Sequence, residues 1–141
     1  MSQQFALPGV TESERNYWLT PPDLLERLAL HFGPFDFDPC PFPRPDGWEA
    51  LGSEWGNCNY VNPPFRGNPG PTAFVRKAII EQAKGRSSLL VLPVPSYVNL
   101  LLEAGASAGS LGRVRWLHIK TGEPQPNPSP ICTFFLRGST V

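Results

Sequence analysis

The stretch Asn59-Tyr60-Val61-Asn62-Pro63-Pro64-Phe65 decides how the rest of this sequence is read. A β-branched and aromatic run predicts a short strand over 59–61, and the paired prolines end it at once. Each proline fixes φ and lacks an N–H, so backbone carbonyls remain there as stiff acceptors without competing donors. Asn62 adds a side-chain carbonyl. Two such acceptors suit the two N–H bonds of an exocyclic amine, and holding both draws the nitrogen lone pair out of conjugation. Phe65 offers a ring on which a flipped base can stack. The plain alternative is a polar strand end followed by a proline turn.

Outward from this point, helices and strands alternate. Downstream, Arg66 to Pro71 reads as a glycine-proline loop, followed by a helix over 72–84 with Phe74, Val75, Ala78, Ile79 and Ala83 apolar. Ser88-Leu89-Leu90-Val91-Leu92-Pro93 is a continuous apolar run, the pattern of a parallel strand buried on both faces. A helix over 96–106, a Gly/Ala/Ser loop at 105–112, strands at 114–119 and 131–136 and an exposed proline loop at 121–130 complete this side.

Upstream, Tyr17-Trp18-Leu19-Thr20-Pro21-Pro22-Asp23 opens a helix. Thr20 is the expected N-cap, Asp23 lies in the first turn, Leu24, Leu25, Leu28, Ala29 and Phe32 follow at helical spacing, and Gly33 closes it. Phe35-Asp36-Phe37-Asp38 alternates like a short strand ending at Pro39. Residues 39–57 form a long loop with one helical turn near Trp48–Leu51. Residues 1–16 read as a loose arm and 17–141 as a single domain. The order predicts an α/β fold with a mixed sheet whose last two strands are antiparallel. In an open sheet of this kind ligands bind at the carboxyl ends of the strands, where Asn62 stands.

Composition bounds the functional classes. The 141 residues carry 12 basic and 12 acidic side chains, so uniform attraction to nucleic acid or to a membrane surface is excluded. The balance hides an asymmetry: residues 1–65 hold nine acids against three bases, and residues 66–141 the reverse. Such polarity suits a cationic small molecule near one half and a phosphate backbone near the other, unless folding mixes the two. Cys40, Cys58 and Cys132 form no CxxC pair, and His31 and His118 stand apart, so no zinc spacing exists. The unpaired thiols suit a reducing compartment, and neither a signal peptide nor a membrane-spanning run is expected. Cys40 has no nearby histidine and is not read as a nucleophile.

Several features recur in the order known from the amino-methyltransferases, and the chain most resembles the small phage-type DNA N6-adenine methyltransferases. Trp18-Leu19-Thr20-Pro21 with Leu24, Leu25 and Leu28 looks like that family's W-x-TP opening helix. Phe35-Asp36-Phe37-Asp38-Pro39-Cys40 looks like its FDxDPC strand. Leu51, Trp55 and Tyr60-Val61-Asn62-Pro63-Pro64-Phe65 look like its spaced L…W…NPPY/F segment. The resemblance covers roughly residues 17–137.

It implies a minimal class I, Rossmann-like methyltransferase fold with a shortened first half. It further implies methyl transfer from S-adenosylmethionine to the N6 amine of adenine in DNA, single- or double-stranded. Asn62, Pro63, Pro64 and Phe65 would form the catalytic segment. Trp18, Thr20, Pro21, Asp38, Pro39 and Cys40 would line the cofactor site, with Asp38 near the cofactor's cationic methionine part. The absence of a recognition domain implies weak selectivity, or selectivity borrowed from a homodimer or another partner. A phage or prophage origin would place the protein in the bacterial cytoplasm.

Beside that motif set, Arg66 is placed to meet a phosphate. Trp18, Trp48, Trp55 and Trp116 are all expected in core or loop-packing roles rather than as base stackers, and Trp18 is the one to test for stacking on adenine. Arg76, Lys77 and Lys84 read as a solvated helix face, and Tyr97 and Asn99, which follow the buried strand, as within reach of a substrate. Pro41-Phe42-Pro43 replaces the glycine-rich turn usual after a first strand, and Asp46, Glu49 and Glu54 remain alternatives for a ribose contact. Two other functions are compatible with the same residues. One is a methyltransferase relic that binds nucleic acid or protein; the other is methylation of an RNA base or a protein amide.

Overall fold

Among the described residues, four strands form one mixed sheet in the order β1-β2-β4-β3. The computed structural model describes residues 18–41, 44–64, 70–93, 98–125 and 129–139. The elements run α1 (Pro22–Phe32), β1 (Cys58–Val61), α2 (Pro71–Ala83), β2 (Ser87–Leu92), α3 (Val98–Glu103), β3 (Ser107–Val114) and β4 (Ser129–Leu136). β1 and β2 are parallel and joined through α2, while β4 is antiparallel to both β2 and β3. This is an α/β architecture with a mixed sheet, compatible with a small Rossmann-like fold.

The alternation of side chains along each strand divides the apolar residues between two faces. On one face Val61, Leu90, Leu92, Phe134 and Leu136 pack under Phe74, Val75 and Ala78 of α2 and Leu101 of α3, with Trp55 and Ala50. On the other, Tyr60, Leu89, Val91, Val114 and Ile131 pack under Leu24 and Leu28 of α1, with Trp116. β2 contributes to both clusters, which explains its unbroken apolar run.

α1 and α2 fall within a residue of their expected bounds, and Gly33 closes α1 as expected, donating its N–H to the Ala29 carbonyl at 2.9 Å. The cap of α1 differs. Pro21 occupies the N-cap position with no side-chain cap, and the Thr20 hydroxyl is bonded to Tyr60 instead. The strand expected at 35–38 reduces to a single parallel bridge between Phe37 and Asn59. The helix expected at 96–106 is shorter, Val98–Glu103. Around 48–51 there is a turn at 50–52 and no helix.

The largest correction concerns the next strand. It was expected at 114–119 after a loop at 105–112, whereas β3 occupies 107–114. β3 pairs through its backbone while most of its side chains stay exposed, so it carries no hydrophobic periodicity. Leu111 bulges from the ladder and Gly112 follows with φ +68°, a left-handed conformation open to glycine. The apolar residues that suggested a strand are buried beyond it: Trp116 enters the core, and Leu117 bridges Leu19 and Pro124.

Candidate functional site at the strand ends

Parallel pairing sets one sheet edge. Phe37 lies opposite Asn59 and Val61 opposite Leu90, so segment 37–40, the end of β1 and the end of β2 leave the sheet on the same side. The Leu19–Leu117 bridge, with reciprocal N–H to O bonds of 2.9 Å, fixes Trp18-Leu19-Thr20 beside that edge just before α1.

Asn62 is half-buried and Pro63 and Pro64 are buried. The Asn62 Nδ2 group donates to the Trp18 carbonyl at 2.9 Å and, at the long limit, to Thr20 Oγ1 at 3.4 Å. Among the described residues no group donates to Asn62 Oδ1 or to the Pro63 carbonyl, so both acceptors expected of this segment are uncommitted. Asn59, three residues earlier, behaves differently. It is fully buried, its Nδ2 serves Gly56, Ser87 and Ser88, and its Oδ1 accepts the Gly56 N–H. One carboxamide is satisfied at both ends; the other, among the described residues, is held by its nitrogen alone.

The Thr20 hydroxyl and the Tyr60 phenol share a hydrogen bond of 2.5 Å. Tyr60 and Asn62 are two apart on β1 and its extension, which puts both on the α1 side of the sheet. Burial pushes the Tyr60 phenol above its ordinary value; the bond to Thr20 opposes this and the nearby Asp38 charge adds to it. Tyr60 had no place in the expected site, although its i, i+2 relation to Asn62 was visible in the sequence.

Asp38 stands at the end of the neighbouring segment. Its Oδ1 accepts the Cys40 N–H at 2.8 Å in a tight turn, and the turn is braced by Trp48. The Trp48 indole donates to the Pro39 carbonyl at 3.0 Å and stacks on Phe37 with ring centroids 5.5 Å apart. The Asp38 side chain reaches solvent, yet the surrounding protein removes enough water to push its carboxyl up to about 6, against the lowering effect of the Cys40 amide. Among the described residues no cation pairs with it. Cys40 is half-buried, and burial together with the Asp38 charge holds its thiol protonated.

The described expected residues thus fall at one sheet edge: Trp18, Thr20, Pro21, Asp38, Pro39, Cys40, Asn62, Pro63 and Pro64. Phe65 and Arg66 lie outside the described residues, as does Tyr97. Of the acids considered for a ribose contact, Glu49 caps the Leu51 amide and Glu54 pairs with Arg86 at 2.9 Å, while Asp46 sits exposed in a turn.

Trp55 and Trp116 are core residues, as expected. Lys77 is not on a solvated face. It is buried against Glu81 at 2.9 Å, in a cluster where Glu81 also takes bonds from Lys84, Arg86 and the Trp55 amide. Among the described residues no group of His, Cys, Asp and Glu could hold a metal ion, and no helix is long and apolar enough to cross a membrane. Compared with protein-family models, curated proteins and solved structures, the chain matches none.

Proposed function

We propose that this protein methylates the N6 amine of adenine in DNA, using S-adenosylmethionine, on a class I methyltransferase-like fold. The observation that carries the reading is the one-ended anchoring of Asn62. Its amide nitrogen is spent on the Trp18 carbonyl, which leaves Oδ1 to accept from a substrate beside the equally uncommitted Pro63 carbonyl. Two fixed acceptors at a strand end hold both N–H bonds of an amine without any need to reorganise, and localise its lone pair.

The residues present fit the cofactor's chemistry. S-adenosylmethionine supplies a methyl group on a cationic sulfonium and also carries an ammonium. Asp38 is an accessible carboxylate with no cation paired to it among the described residues, at the same edge as Asn62. Trp18 and Thr20 bond Asn62, and with Pro21 they would form the wall of the cofactor site. The Trp48 brace keeps the 38–40 turn in place, so the carboxylate is presented by a fixed backbone.

The test is calorimetric titration with S-adenosylmethionine, followed by labelled methyl transfer to DNA, RNA and protein. Saturable binding and label in DNA adenine are expected. Asn62→Ala should lower the transfer rate by about 100-fold or more, the usual loss when a preorganised polar partner is removed. No heat with S-adenosylmethionine and no transfer would leave a binding module; label in RNA or protein alone would move the substrate class. A transfer rate within about tenfold of the parent after Asn62→Ala removes the amine-holding role.

A further inference from the structure

We infer that Tyr60 and Thr20 are positioning residues that, with the Trp18 carbonyl, decide which end of the Asn62 carboxamide faces substrate. A primary amide can turn over about its Cβ–Cγ bond and exchange its oxygen for its nitrogen. Only one of the two orientations presents an acceptor. Here the Trp18 carbonyl can take a donor and nothing else, and it lies 2.9 Å from Nδ2. Thr20 Oγ1 is a second, long contact on the same nitrogen at 3.4 Å, and it favours that nitrogen when the Thr20 proton is given to the buried Tyr60 phenol, because the oxygen then has only acceptor capacity left for Asn62. Tyr60 cannot drift, since its ring packs on Phe35 with centroids 5.4 Å apart and its backbone N–H is bonded to the Phe37 carbonyl. The relay thus runs from the core of the sheet to the side chain of Asn62.

The same geometry selects Asn over Asp at position 62. An ionised carboxylate there would face the Trp18 carbonyl oxygen with no proton between them, an uncompensated repulsion in a half-buried place. A protonated carboxyl could donate to that carbonyl and still offer its other oxygen. The catalytic half of this inference rests on the proposed methyl transfer, whereas the orientation itself does not.

The orientation is read by NMR on the whole protein, through hydrogen exchange of the Asn62 side-chain NH2 against that of exposed Asn99. Exchange slowed at least about tenfold is expected for Asn62, with the slowing reduced in Tyr60→Phe and in Thr20→Val and retained in Thr20→Ser, which keeps the hydroxyl. In the transfer assay Tyr60→Phe should lower kcat by about tenfold with KM within about twofold, because it alters the holding of Asn62 and not the walls. At S-adenosylmethionine concentrations that saturate throughout the pH range, Asn62→Asp should be inactive near neutral pH and regain part of its rate as pH falls, a profile that a purely structural lesion does not give.

Far-UV circular dichroism separates loss of fold, and Thr20→Val against Thr20→Ser decides the matter should Tyr60→Phe unfold. An Asn62 amide that exchanges like Asn99 in the parent, or that neither variant changes, overturns the inference. A protected Asn62 amide in a protein that transfers no methyl group upholds the positioning and refutes the proposed reaction.

Discussion

Asn59 and Asn62 show how one side chain takes two roles within a single turn of sequence. The first closes a loop with every polar atom used; the second keeps an oxygen in reserve. The motif marked Asn62 in the sequence, but its carbonyl partner at Trp18 was beyond reach of any local pattern, since 44 residues separate the two. Thr20 shows the opposite failure. Local capping rules assigned it to α1, and a tertiary bond to Tyr60 claimed it.

Asp38 carries a prediction at this scale. A carboxyl pushed up to about 6 is half neutral in mildly acidic solution, and only its ionised form attracts a cation. Affinity for S-adenosylmethionine should therefore rise as pH increases from about 5 to about 7, and Asp38→Asn should both weaken binding and flatten that dependence. Calorimetry across this range checks it. A steep dependence surviving in Asp38→Asn would assign the titration to another group.

Among the elements, α2 is tied down by charge as well as by apolar packing. Glu81 is fully buried, which works to raise its carboxyl, but bonds from Lys77, Arg86, the Trp55 amide and Lys84 outweigh burial and hold it at about 2. Glu81→Gln leaves Lys77 buried without its counter-charge, at a cost of about 3 kcal/mol in chemical unfolding. Because the folded value is depressed from an ordinary 4.5, the parent's advantage should be complete above about 4.5 and drain away as pH falls toward about 2. Nothing in the period of α2 announced this cluster, since an Lys77–Glu81 pair at i, i+4 is equally the mark of a solvated face.

The turn before β1 is constrained by space. A Cβ on Gly56 would lie 2.6 Å from Asp36 Oδ1 and 2.8 Å from Phe37 Cβ. That same oxygen accepts the Cys58 N–H at 2.8 Å, so Gly56→Ala must displace the contact that starts the strand. A loss of about 1–3 kcal/mol is expected, measured by urea unfolding with an unchanged m-value. The neighbouring Gly52→Ala, which would meet only the flexible Glu49 side chain, should be nearly silent.

For the molecule as a whole, alternating helices and strands and the two-faced burial of β2 were legible because they leave apolar periods in the sequence. The placement of β3 was not, because glycine, serine and alanine pair by backbone alone and leave none. The opposite charges of the two halves persist in part. Arg86 meets Glu54 across the divide, while Lys77 and Lys84 find Glu81 within their own half. Amide exchange tests the sheet order directly. Ser88–Leu90 of β2, paired with both β1 and β4, should exchange slowest, and Ser107–Ser110 of β3, paired on one side only among the described strands, fastest of the strand amides.

The sheet order also has a consequence for biosynthesis. β4 lies between β2 and β3 although it is translated after both, so those two strands have no shared neighbour until residue 136 has been made. During elongation the apolar flank of β2 awaits a partner some forty positions downstream (a non-local closure). Nascent chains stopped before Ser129 should therefore be the ones that chaperones retain, and release should coincide with emergence of the final hairpin partner from the ribosome.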